Sequence, residues 1–287
     1  MGKKGKKARA GKPKKLTPKD IGKRLDALVK KLEEDLKDVD LFAPLPPTDD
    51  CGICLEPLSR AQWKNFTQMC CGNQICRRCL DGHKLSIKKK NEKNAGKANK
   101  KTIAHTCPFC RELEPQGKDE SVRRVMARIS LSDPTAMSMF GVLLIDGKCG
   151  ITKDEMEGYY LLIRAAELGS AEACVLLAQR YKKGGDSGFP PRSIERQLFF
   201  DRVATARGDI SARFVLGKHE YDDLGNHEVE VRHWKIAAEA GLEGAFNALR
   251  RLVDTDRPLP GKAFITKDEL DKICKAEGFH DREEEYM

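Results

Sequence analysis

Eight cysteines between Cys51 and Cys110 constrain this chain more than any other feature. Six form the pairs Cys51-x-x-Cys54, Cys76-x-x-Cys79 and Cys107-x-x-Cys110, and the adjacent Cys70-Cys71 lies between the first two. The two-residue spacing lets two thiolates turn onto one metal ion at about 2.3 Å, and tetrahedral Zn²⁺ takes four such ligands. Eight candidates imply two Zn²⁺ ions in closed, structural sites. No position is left for an activated water, which argues against hydrolytic metal chemistry. A disulfide scaffold fits less well because no secretory leader is evident, and a thioredoxin-like dithiol needs one pair, not three.

A chain of 287 residues exceeds one small zinc module and has room for a second unit with its own core. No apolar run approaches the roughly 18 residues of a membrane span. The expectation is an intracellular protein, cytoplasmic or nuclear, without a membrane partner. The net charge of +9 is localised: residues 1–15 carry eight Lys/Arg and no acid, and residues 84–101 carry eight Lys and one Glu. The remainder is mildly acidic, about −6.

Residues 1–16 read as a basic disordered tail, a nuclear address or an anchor through which nucleic acid is a possible partner, with no aromatic for base stacking. Residues 17–40 read as an amphipathic helix. Thr17 is the N-cap, Pro18 the first helical residue, and Ile21, Leu25, Leu28, Val29, Leu32, Leu36 and Val39 form one stripe. By default the stripe packs on the zinc unit; self-association or a partner would also bury it. The segment Ala43-Pro44-Leu45-Pro46-Pro47 reads as a stiff linker. Within residues 41–116, the lysine-rich stretch 84–101 reads as a disordered insertion.

From residue 118 to 276 the pattern is helical and periodic. Ala136 with Phe140-Gly141 is echoed by Ala173 with Leu177-Ala178 and by Ala212 with Leu216-Gly217, at spacings of 37 and 39. Each unit closes on Ala165-Ala166-x-x-Gly169, Ala204-Thr205-x-x-Gly208 or Ala237-Ala238-x-x-Gly241. Small residues let paired helices approach, and the glycine supplies the left-handed residue that stops a helix. A period near 37 implies a short α-solenoid of helix-turn-helix repeats, with residues 243–276 as a worn last repeat. Thr152 and Thr266, each followed three residues later by Glu, read as capping boxes. Residues 277–287 read as a charged tail, with Asp281 to Met287 expected to fray.

The cysteine order resembles the RING finger, and the repeats resemble Sel-one-like repeats, relatives of the tetratricopeptide repeat. From Leu41 onward the chain resembles RING plus Sel-one-like repeat proteins of diatoms, sharing the Pro-rich approach, Cys70-Cys71-Gly72 and Cys107-Pro-Phe-Cys-Arg111. The fold class is then mainly α: a small zinc-stabilised RING-like α+β finger followed by the solenoid. The resemblance implies one Zn²⁺ on Cys51, Cys54, Cys76 and Cys79. A second takes Cys107, Cys110 and ligands from Cys70, Cys71 and their surroundings. Where a typical RING reads Cys-x-His, this chain has Cys71-Gly72-Asn73. Either both adjacent cysteines bind through a turn at Gly72, or His105, His83 or Asn73 supplies the fourth ligand. The resemblance further implies a ubiquitin ligase that positions a charged ubiquitin-conjugating enzyme, with Ile53 and Pro108 touching that enzyme and Arg111 clamping ubiquitin, while a protein client sits on the repeats. Residues 80–106 hold no Phe, Tyr or Trp, whereas many active RINGs carry an indole there.

Among the remaining residues, Cys149, Cys174 and Cys274 have no obvious ligand partner, and Cys174 reads as a core residue. Trp234, Phe214 and Tyr221 read as solenoid core, and Tyr159-Tyr160 as a packed helix face. His219, His227 and His233 are not at a metal-binding spacing.

Overall fold

The computed structural model describes residues 15–60, 64–94, 104–185, 187, 189–220, 225–255 and 259–279. The basic tail through residue 14, residues 95–101 of the insertion, Tyr221 and the acidic end from 280 lie outside them. The described residues are mainly helical: eleven α-helices and one two-stranded antiparallel sheet. No helix among them is long and apolar enough to cross a membrane.

The repeats are built by one local rule used three times. Helices α4 (Pro134–Asp146), α6 (Ala171–Lys183) and α8 (Ile210–His219) each start on a short polar cap, Asp133, Ser170 and Asp209, whose side chain accepts a backbone N–H from the first turn. Their partners α5 (Glu155–Glu167), α7 (Ile194–Ala206) and α9 (His227–Glu239) stop at Gly169, Gly208 and Gly241, all with φ near +90°. In each case the N–H beyond the glycine returns to the first small residue of the closing motif, Ser170 to Ala165 at 3.0 Å, Asp209 to Ala204 at 2.9 Å and Leu242 to Ala237 at 3.0 Å. The chain therefore closes each repeat with the same turn, and α4 to α10 (Glu243–Asp254) pack in sequence. At Gly141 and Gly158 the backbones of α4 and α5 touch: a Cβ on either would fall within 3 Å of the other's carbonyl oxygen. At Gly217 the same closeness admits the indole of Trp234, which is buried as expected and donates to the Phe214 carbonyl at 3.3 Å.

The first and last helices of the array lie within residues 118–277 and depart from the repeat rule in detail. Helix α3 (Lys118–Ser130) closes with the same geometry, using Ser132 at φ +60° and an Asp133 N–H to Arg128 bond. Helix α10 starts on Leu242 without a side-chain cap, followed by a short 3₁₀ turn (Pro260–Phe264) and α11 (Lys267–Glu277). The capping box at Thr266 is present. The one expected at Thr152 is not: α5 starts at Glu155 on Asp154, a better cap than threonine, whose N–H is fixed by the Leu144 carbonyl at 2.9 Å. Gly278 is left-handed and lays Phe279 on Phe246, ring centroids 4.6 Å apart, and the stretch 281–287 expected to fray lies outside the described residues.

Helix α1 (Pro18–Leu36) carries the expected capping box, here with Asp20, but not the expected destination. Its stripe from Ile21 to Leu36 packs on the solenoid across α5 and α7, sharing one core with α4–α7, and Leu16 joins that core, whereas Val39 lies beyond the helix end and is 41% exposed. Asp26 pairs with Arg196 at 3.0 Å, and Arg24 lies 4.9 Å from the Tyr160 ring centre. The cysteine-rich unit's own apolar cluster is small, whereas α5 and α7 belong to a much larger one. The proline-rich segment then runs over α8 and α9 as a strap. The Phe42 ring lies tilted against His233, centroids 4.6 Å apart, under Arg232, and Arg213 donates to the Leu41 carbonyl at 2.6 Å.

Candidate metal centres

One hairpin delivers cysteines to two places. Strands β1 (Asn65–Thr67) and β2 (Gln74–Cys76) pair with Phe66 opposite Ile75. The turn between them, closed by Gln68 and Asn73 at 2.9 Å, carries Cys70 and Cys71, and β2 ends on Cys76. Helix α2 (Arg77–Asn94) follows at once and brings Cys79 back in its first turn. The other four cysteines sit on two matching knuckles. Cys51 N–H donates to Glu56 O at 2.8 Å and Leu55 N–H to Cys51 O at 2.9 Å; Cys107 N–H donates to Glu112 O at 2.7 Å and Arg111 N–H to Cys107 O at 3.1 Å. Leu55 and Arg111 occupy equivalent left-handed positions, φ +58° and +62°.

The thiols gather as Cys51, Cys54, Cys76, Cys79 and as Cys70, Cys71, Cys107, Cys110, the sulfurs of each group all within 4.8 Å of one another. Across a tetrahedral zinc with bonds of about 2.3 Å, sulfurs stand about 3.8 Å apart. Observed separations are 3.9 Å for Cys54–Cys76, 3.8 Å for Cys71–Cys107 and 3.3 Å for Cys70–Cys110. The geometry and the soft all-thiol donor set fit a metal ion such as zinc in each group. The two adjacent cysteines fall in the same group, with Gly72 left-handed at φ +78° beside them. His83 lies elsewhere, Nε2 at 2.9 Å from the Thr106 carbonyl, and His105 and Asn73 are exposed and belong to neither group.

The electrostatics ask for a cation. Burial opposes ionisation of Cys51, but the N–H groups of Cys76, Cys54 and Ile53 converge on its sulfur and bring its thiol down to about 6. Burial and neighbouring sulfurs push Cys70 and Cys71 upward. Four thiolates in one place repel one another until a metal ion offsets them. Arg78, between Cys76 and Cys79, sets its guanidinium against Cys54 and answers part of that charge; nothing in the sequence pattern singled it out.

Ile53 is 48% exposed, Pro108 half-buried and Arg111 exposed. The two knuckles adjoin: the Phe109 ring lies so close over Gly52 that a Cβ there would stand 2.7 Å from it. The stretch 84–101 is not a disordered insertion throughout, since α2 continues to Asn94, anchored by Leu80 and Ile87, and lysine is a good helix former. Among the described residues the finger meets the solenoid in several places, with Met69 against its core and Arg124 of α3 donating to the Leu113 carbonyl at 2.6 Å. Gly72 rests on the Arg128–Asp133 ion pair (2.7 Å) between α3 and α4, and Arg60 donates to the Gly208 carbonyl at 3.2 Å and to the Pro46 carbonyl. Cys174 is buried in the core as expected, Cys149 is exposed, and Cys274 donates to the Phe279 carbonyl at 2.9 Å. Tyr159 is buried and Tyr160 packed. His219, His227 and His233 join no metal group among the described residues.

No known family profile matches the chain, and no curated protein does. Among solved structures, a Sel1 repeat protein from Oxalobacter formigenes is similar at 24% identity and a TM-score of 0.47, over 56% of this chain and 64% of that one. The chain thus spans under two thirds of that protein's length. An immunity protein, Pa5087 from Pseudomonas aeruginosa, is similar at 18% identity and a TM-score of 0.34, over 67% of this chain and 81% of that one.

Proposed function

We propose that the chain is a zinc-binding RING-type ubiquitin ligase, in which the finger holds a charged ubiquitin-conjugating enzyme and the repeats recruit a protein client. The observation that carries this reading is the interleaving of the cysteine pairs, first with third and second with fourth. It locks the Ile53 and Pro108 knuckles side by side, with an apolar side chain facing outward from the first. Arg111 follows the last ligand on an exposed turn, where a cation can reach a second protein held by the same surface. No side chain acts on a substrate; the finger contributes by positioning. Helix α1 and the strap cover part of α5, α7, α8 and α9, which leaves a client the remaining surfaces of the array.

The test is discharge of ubiquitin from a panel of charged conjugating enzymes by the zinc-loaded protein. Ile53→Ala and Arg111→Asn should each slow discharge about tenfold or more while retaining metal; asparagine tolerates the left-handed backbone that Arg111 adopts. The missing aromatic in residues 80–106 favours one competing reading, a non-enzymatic scaffold whose finger binds protein alone. Silence across the whole panel selects it.

A further inference from the structure

Helix α2 has 18 residues and buries only Leu80 and Ile87. From Lys88 to Asn94 none of its residues is buried, so about 10 Å of helix stands clear of the finger's core. It carries seven Lys/Arg against Asp81 and Glu92. Lys84, Lys88, Lys89, Lys90 and Lys93 are all exposed, and none is paired among the described residues. Three of them, with Gly82, Leu85 and Ser86, line a shallow hollow of about 340 Å³. A Cβ at Gly82 would meet nothing within 4 Å, so a backbone can approach the helix closely there.

We infer that α2 is a docking surface for the phosphate backbone of duplex DNA, bound without sequence preference. Unpaired lysines around small residues offer strong cations and room for phosphates between them. The exposed face of α2 has no aromatic on which unpaired bases could stack, which disfavours a single strand. Leu80 and Ile87 are spent on the finger, and Leu85, 50% exposed, stands alone on the outer face, too little apolar surface to insert into a lipid surface. An α-helix, about 10–12 Å across, fits the B-DNA major groove, whereas the A-form RNA groove is too narrow. The inference does not depend on ligase activity.

Fluorescence anisotropy with a random-sequence 20-base-pair DNA duplex tests it in the full chain, across a salt series. Two triple variants remove equal charge: Lys89→Gln, Lys90→Gln, Lys93→Gln on α2, and Lys267→Gln, Lys272→Gln, Lys275→Gln on the exposed face of α11. Metal content and far-UV circular dichroism verify that both fold. The α2 triple should weaken binding roughly tenfold or more and lower the slope of log K against log salt by about 3, while the α11 triple leaves both unchanged. Equal loss from both triples, or loss from neither, overturns the inference. So does binding of single-stranded DNA, duplex RNA or phosphatidylserine vesicles as tight as that of the DNA duplex.

Discussion

Asp201, on α7, is 4% exposed, and its carboxylate accepts a hydrogen bond from Gln197 at 3.3 Å. Burial raises its pKa from 3.8 to about 6, with the Asp209 charge adding to the rise and Gln197 opposing it. A raised folded-state value means that folding favours the protonated form. The stabilising contribution is complete below the unfolded value and is lost as pH rises through about 6. Asp201→Asn should therefore gain about 1–2 kcal/mol at pH 7.5, less than the full shift because a charge-assisted bond is lost. The gain should vanish near pH 4, which melting curves of both proteins across that range will check. At Gly72, alanine would face a left-handed backbone and stand 2.9 Å from the Asp133 carboxylate, so Gly72→Ala should cost about 2–3 kcal/mol in thermal unfolding. The sequence marked Gly72 as the turn that lets Cys70 and Cys71 share a metal. It did not mark Arg128 and Asp133 beneath it, because no periodicity records contacts across some 60 residues of chain.

At the scale of elements, the apolar stripe of α1 was legible and its destination was not, since a 3.6-residue period names the buried face without naming what covers it. Leu28 is 1% exposed in the core shared with α4–α7. Leu28→Ala should cost about 2–5 kcal/mol, and Thr17→Ala, which removes the cap, about 1 kcal/mol. Both are measurable by denaturant unfolding, and both should leave metal content unchanged. The repeat helices were legible because cap, small-residue face and terminal glycine recur at one period. The closing turn of α3 was not legible because serine stands where the other repeats have glycine, although Ser132-Asp133 echoes Gly169-Ser170 and Gly208-Asp209. Helix α2 was misread because its lysines look like a solvated loop; two residues a helical face apart, Leu80 and Ile87, are enough to hold it on the finger.

At the scale of the molecule, finger and solenoid are tied together by Gly72 on the Arg128–Asp133 pair, by Arg60 at the α7–α8 corner, and by the strap across α8 and α9. A ligase built this way would hold its client at a fixed offset from the conjugating enzyme. Cysteine spacing alone gave eight ligands but not their pairing, because spacing fixes which thiols are neighbours in sequence and the hairpin decides which meet in space. The pairing underlies the proposed ligase reading, and native mass spectrometry tests it by counting zinc. The intact chain should carry two zinc ions. The double variant Cys54→Ser, Cys79→Ser should keep one, since both residues serve the same group. Fewer than two ions on the intact chain, or loss of both from the double variant, would contradict the account.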